Sequence, residues 1–238
     1  MKINSINAGN FVKWNEGMSI KHNPDKHHNH PNPIMRFLER RRTGTIIKYL
    51  DVRESDFVLD VGCGAGNMLE QIRKGRLFGI DISQFVLGLS RERLGNQTIL
   101  LRGNAESLPF RDNHFDRIFC SEVIEHTLSP DNVIREIFRV LRPDGICVLS
   151  IPNENFSIKL KEFIKSSGIA RLLLPADRGE ASRLYSIHEW HLHAFSLNLL
   201  RKIIQGRFRI TAHMGIPFGI IPVKYVVCLR KVMKCVRL

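Results

Sequence analysis

The chain has 238 residues, 43% hydrophobic and 25% charged, a balance that excludes wholesale disorder and suits one well-buried domain. Thirty-six Lys and Arg against 23 Asp and Glu give a formal charge of +13, a field that attracts nucleic acid, anionic lipid or an acidic small molecule. The longest uncharged apolar stretch, residues 210–223, is broken by Pro217 and Pro222, so nothing is expected to span a bilayer, and the N-terminus lacks the apolar core of a signal peptide.

Cys63, Cys120, Cys147, Cys228 and Cys235 form no CxxC pair, and the first three sit in or beside apolar runs, which predicts reduced thiols and a cytoplasmic setting. Residues 1–32 are rich in Asn and His without sustained periodicity and read as an arm or flap; the remainder, 33–238, reads as one domain. His22, His27, His28 and His30 lack zinc spacing, so a polar flap is the simpler reading of that cluster.

Pro33 opens a helix over PIMRFLERRRTGTIIKYL, with Ile34, Phe37, Leu38, Ile46, Ile47 and Leu50 able to face a core and Arg40, Arg41 and Arg42 as a solvated face. Strand and helix signals then alternate. FVLDVG is a strand, NMLEQIRKG a helix, LFGIDIS a strand and QFVLGLSRERLG a helix. TILLRGNAESLPF supplies a third strand and a loop, and FDRIFCS a fourth strand. SPDNVIREIFRVL is a helix capped by Ser129 with Pro130 in its first turn, after which RPDG turns the chain into the strand ICVLSIPN.

Residues 153–189 interrupt this alternation with a basic, mainly helical stretch, read as a cap over the site. SLNLLRKIIQG resumes as a helix and RFRITAHMG as a sixth strand. The predicted fold is a Rossmann-like, doubly wound, mostly parallel sheet of seven-stranded type with helices on both faces and a helical cap insertion.

Within the basic segment 217–238, residues 223–238 have two readings. Lys224, Arg230, Lys231, Lys234 and Arg237 gather in one sector of a helical wheel, as in an amphipathic helix on an anionic membrane. The Val-rich composition instead favours a last antiparallel strand with its basic residues along an exposed edge.

The loop after the first strand reads DVGCGAG, with Asp60 before Gly62, Gly64 and Gly66. It does not complete the GxGxxG of a dinucleotide site, and a carboxylate beside the loop suits an ammonium better than a pyrophosphate. Together with Asp81 in GIDIS, GNAESLPF, FDRIFCSEVIEH and VLRPDGICVLSIPN, this loop resembles class I S-adenosylmethionine-dependent methyltransferases, in the type 11 branch that includes quinone-biosynthesis O-methyltransferases. The resemblance implies S-adenosylmethionine as cofactor and S-adenosylhomocysteine as product. It places the methionine moiety on Asp60, Gly62, Cys63, Gly64 and Gly66, the ribose on Asp81 and Ile82, and the adenine on Asn104, Ala105 and Glu106, with Ser121 nearby. Asn104 departs from the family's usual Asp, exchanging a charged acceptor for a neutral one.

Glu122, Glu125 and His126 are spaced i, i+3, i+4 just past the fourth strand, which predicts a shared helix face. With His191, they are the candidates for acceptor chemistry; His188 and His193 lie close by in HEWHLHAF. Three roles stay open: a divalent-metal site, as in the similar ExxEH plus His arrangement of RNA 2′-O-methyltransferases; a metal-free base; or a structural cap. The acceptor is expected to be a small or lipid-linked molecule methylated on oxygen, with docking at the inner membrane face through the basic segment. RNA is the alternative that the net charge favours, and a noncatalytic S-adenosylmethionine-binding protein is the alternative outside enzymes.

Overall fold

In the computed structural model, which describes residues 6–23, 32–154, 156 and 190–232, the alternating apolar runs form a seven-stranded sheet. β1 (Phe57–Val61), β2 (Arg76–Asp81), β3 (Ile99–Arg102), β4 (Phe115–Ser121) and β5 (Leu141–Pro152) pair in parallel. β6 (Phe208–Phe218) and β7 (Ile221–Lys231) complete the sheet as an antiparallel hairpin. The order β3-β2-β1-β4-β5-β7-β6 reverses between β1 and β4, where open α/β sheets bind their ligands.

Successive residues of a strand point to opposite faces, so each central strand feeds two cores. Leu59, Ile118, Leu149 and Val227 pack with residues of α4 (Pro130–Val140) and α5 (Leu197–Ile204). Their neighbours Val58, Phe119, Val148 and Val226 pack with Ile46 and Leu50 of α2 (Pro33–Leu50) and Leu87 of α3 (Gln84–Leu94). The doubly wound architecture read from the sequence is thus present. Asn32 caps α2, accepting the Ile34 N–H at 2.8 Å, and Ser83, Ser129 and Ser196 cap the three later helices.

Ile34 and Phe37, expected to face the core, are exposed on the first turns of α2. Four further local expectations are corrected. The arm contains a helix, α1 (Phe11–His22), held at its middle by Glu16, whose two oxygens accept the Gln84 and Phe85 N–H groups at 2.9 Å each. The stretch 67–75 makes only a single 3-10 turn, Leu69–Gln71, because Gly66 and Gly75 bracket it with φ of 79° and 83°. RPDG lies within β5 rather than before it; the pairing of β4 with β5 shifts register there, from Phe115 opposite Leu141 to Arg117 opposite Ile146.

The fourth correction concerns the basic segment. Residues 221–231 are the antiparallel strand β7, as the second reading expects, but it lies inside the sheet between β5 and β6, so neither the amphipathic helix nor the exposed edge is found over that range. Residues 233–238 lie outside the described residues, as does the predicted cap from 157 to 189. Among the described residues no helix is long and apolar enough to cross a membrane.

Candidate functional site

Strand β1 ends in a loop that only glycine can build as it stands. Gly62, Gly64 and Gly66 have φ of 78°, 52° and 79°. A Cβ on Gly62 would collide with the Val123 side chain, so the glycine loop and the loop after β4 touch at this point. Gly62 and Cys63 donate to the Ile80 carbonyl at 2.8 and 3.0 Å, which ties the loop to β2.

Asp81 fixes the other wall. Its oxygens accept the Gly64 and Ser83 N–H groups at 2.9 Å each, joining the glycine loop to the start of α3. Asp60 is 3% exposed, and burial followed by the nearby Asp81 pushes its carboxyl well above the usual range. A buried acid, Asp60, beside a half-buried one, Asp81, each discouraged from ionising, suits a cationic ligand, and a sulfonium with an ammonium fits this requirement.

The other residues proposed for the cofactor surround this cradle in different ways. Asn104 Oδ1 accepts the Glu106 N–H at 2.9 Å in a local turn. Glu106 Oε1 in turn accepts the Leu128 N–H at 2.8 Å, and Ala105 packs on the core. The Ile82 carbonyl accepts Arg102 Nε at 3.1 Å. Cys63 is buried where Gly79 leaves room for its sulfur, and burial pushes its thiol pKa well up.

The acceptor side holds a buried charge network that sequence reading missed. Arg42 is buried, not part of a solvated face; it bonds Glu39 and the Ser121 hydroxyl, which accepts from it. Arg42 lies four residues from both Leu38 and Ile46, so the helical period that marks those two as core-facing marks it as well. Lys224 of β7 lies 2.7 Å from Glu122 Oε2 and 3.5 Å from Glu39 Oε1. The Ser150 hydroxyl donates to Glu122 Oε1 at 2.9 Å. Burial alone would raise the Glu122 pKa, but Lys224 and Arg42 outweigh it and hold it down to about 2.

Glu122 therefore parts from its predicted companions. Residues 124–126 form one 3-10 turn rather than a helix, and Glu122 adopts φ of 57°, so the three residues do not share a helix face. Glu125, His126 and His191 do converge, with one ligand-type atom from each within 4.8 Å of the others. Glu125 is fully buried, neither of its carboxylate oxygens has a hydrogen-bond partner among the described residues, and burial with the nearby Glu122 pushes its pKa well up.

His126 Nδ1 donates to the Trp190 carbonyl at 2.9 Å, since a carbonyl can only accept, which leaves the lone pair of the neutral ring on Nε2. Burial, then His191, lowers the His126 pKa to about 3. His191 Nδ1 pairs with Glu154 Oε1 at 2.7 Å. His193 Nε2 is bonded to the Thr127 carbonyl at 2.9 Å, away from the cluster, and the Glu125 carbonyl accepts the Leu192 N–H at 2.8 Å. These bonds clip residues 191–193 onto the turn after β4.

The arm reaches the same place. His22 stacks on Trp190 with ring centroids 5.7 Å apart, and Trp190 covers His126 at 4.6 Å. Helix α1 thus runs from Glu16, beside the Asp81 wall, to the roof of the Glu125 cluster. His27, His28, His30 and His188 lie outside the described residues.

Comparison with known proteins agrees with this geometry. Residues 59–149 match a methyltransferase-domain family model. The chain is 33% identical over 108 residues to a demethylmenaquinone methyltransferase of Lactobacillus johnsonii, covering 41% of this chain and 44% of that protein. A ubiquinone biosynthesis O-methyltransferase of Dechloromonas aromatica is 28% identical over 165 residues, covering 61% and 70%. The chain spans less than half the length of the first curated relatives it matches. Among solved structures, an S-adenosylmethionine-dependent methyltransferase from Aquifex aeolicus shares the fold with a TM-score of 0.59 at 18% identity, covering 88% of this chain and 98% of that one. In its glycine cradle, its strand order and these matches, the chain is similar to class I S-adenosylmethionine-dependent methyltransferases, quinone-biosynthesis enzymes among them, with residues 59–149 as the matching methyltransferase domain.

Proposed function

We propose that this chain transfers a methyl group from S-adenosylmethionine to an oxygen atom of a small or lipid-linked acceptor. When bound, S-adenosylmethionine supplies an electrophilic methyl on a sulfonium centre. The residues that would hold it are Asp60 and the Gly62–Gly66 loop for the amino-acid end, Asp81 for the ribose, and Asn104 with Ala105 for the base. Arg42, buried beside Ser121, adds a fixed positive charge near the methionine end.

The observation that carries the proposal is the contact of Val123 with Gly62. It sets the turn bearing Glu125 and His126 directly against the cofactor loop. A hydroxyl acceptor must lose its proton as the methyl arrives, and a base within reach raises the rate by about 10²–10⁴. The Nε2 lone pair of His126 is the group within reach of that proton, and Glu125, which burial keeps protonated, would hold the acceptor beside it. The similarity to a ubiquinone biosynthesis O-methyltransferase supports an oxygen acceptor for the same turn.

One feature favours a second reading of this cluster, a divalent cation. Glu125 offers two unpartnered oxygens, and the Nδ1 bonds of His126 and His191 direct both rings as metal-binding histidines are directed. Glu122, engaged by Lys224 and Ser150, is not part of that donor set.

The test is transfer of labelled methyl from S-adenosylmethionine into a cell extract split into organic, aqueous and nucleic-acid fractions, with and without chelator. Label in the organic or aqueous small-molecule fraction supports the proposal. Label confined to RNA overturns it, loss on chelation selects the cation reading, and failure to bind S-adenosylhomocysteine makes the chain a protein of another class.

A further inference from the structure

At the ligand end of the sheet the surface is both apolar and basic. Arg117, near the start of β4, donates to the Leu50 carbonyl at 2.7 Å, so the C-terminus of α2 lies at the amino end of the parallel strands. Arg42 reaches Ser121 at the opposite end, which places the first turns of α2 beyond the carboxyl ends. The β6–β7 hairpin tip lies there too, because β7 runs antiparallel to β5 with Lys224 opposite Pro152, and Asn153 Nδ2 donates to the Pro222 carbonyl at 2.8 Å.

Four large apolar side chains stand out from these two elements. Ile220 is 93% exposed, Ile34 67%, Phe218 56% and Phe37 45%. They form one patch: the Phe37 and Phe218 rings are 6.4 Å apart, and Arg41 donates to the Pro217 carbonyl at 3.4 Å. Arg36, Arg40 and Arg41 are exposed on the same turns of α2, and the one carboxylate of that stretch, Glu39, is buried inward.

We infer that this face docks the enzyme on an anionic lipid bilayer, with the hairpin tip and the start of α2 inserted and the mouth of the active site turned to the membrane. Apolar side chains ringed by arginine match an interface with acyl chains beneath and negative headgroups above. A nucleic acid would meet Ile220, an aliphatic side chain that cannot stack on a base, at the most prominent point of the patch. The inference deepens the lipid-linked acceptor reading and moves the membrane contact from the end of the chain to the hairpin and α2.

The test is co-sedimentation of the full chain with vesicles of phosphatidylcholine, with and without phosphatidylglycerol, read without turnover. Binding to the anionic vesicles is expected. Phe218→Ser/Ile220→Asp should weaken it about tenfold or more, and Arg36→Ala/Arg40→Ala should erase the preference for phosphatidylglycerol, with S-adenosylhomocysteine affinity unchanged in both. Wild-type protein left in the supernatant, or variants that bind vesicles as wild type does, overturns the inference. So does retention on single-stranded RNA, lost in the same variants, without vesicle binding. Methyl transfer without vesicle binding sinks the docking alone, and vesicle binding without methyl transfer sinks the activity alone.

Discussion

Lys224 Nζ lies 2.7 Å from Glu122 Oε2, joining the last strand of the sheet to the turn that follows β4. The pair belongs to a chain of charges from Glu39 and Arg42 on α2 through Lys224 to Glu122 and Ser150. Lys224 faces two carboxylates and Arg42 is held by Glu39 and the Ser121 hydroxyl, which is how so much charge stays close to the glycine loop.

This network sets an acid limit to stability. Glu122 titrates at about 2 in the fold, below its ordinary value of 4.5, so its contribution is fully present above about 4.5 and is lost as pH falls towards 2. The Glu39 pKa is also lowered, with Lys224 and Arg42 outweighing its burial, and its contribution falls in the same direction. Lys224→Met should cost about 2 kcal/mol at neutral pH and move acid unfolding to higher pH. Denaturant melts at several pH values check this, and an unchanged acid limb would rule out the coupling.

Gly62→Ala should weaken cofactor binding. The substitution forces an L side chain to φ of 78° and drives its Cβ into Val123. Calorimetric titration with S-adenosylhomocysteine should show a loss of about tenfold or more. Adding Val123→Ala should restore only part of it, because the collision is relieved and the backbone strain is not.

Glu16 should govern the arm. Its carboxylate accepts two N–H groups at the start of α3, so Glu16→Ala should cost about 1–2 kcal/mol and release α1 to limited proteolysis. Glu16→Gln keeps one accepting oxygen and should show about half of the effect. Equal cleavage of the arm in wild type and Glu16→Ala would show that other contacts hold it.

The elements legible in the sequence are those whose signal is local. Asp60, the three glycines and Asp81 lie at strand ends, where a run of apolar residues stops at a loop, and all gather at the cradle. Arg42 was hidden by its neighbours: three successive arginines look like surface, and only the spacing from Leu38 and Ile46 betrays the buried one. β7 lacked alternation because both its faces are covered, so the absence of a two-residue period argued against a strand where it should not have. α1 carries no strong apolar stripe, and its place depends on Glu16 reaching residues 68 positions away. Glu122 left its companions through a left-handed backbone that a spacing of three and four residues cannot reveal.

Glu125 offers the sharpest separation of stability from activity. A fully buried carboxyl without a hydrogen-bond partner is a cost to the fold, and an apolar side chain of similar volume removes that cost. Glu125→Met should therefore stabilise the protein by about 1–3 kcal/mol, or raise Tm by several degrees, while methyl transfer falls by about 10² or more. S-adenosylhomocysteine affinity should hold, because Glu125 lies on the acceptor side of Val123. If Glu125 only braced the turn, the same substitution would lower Tm and leave transfer in proportion to the folded protein. Thermal melts and turnover measured on one preparation decide between these outcomes.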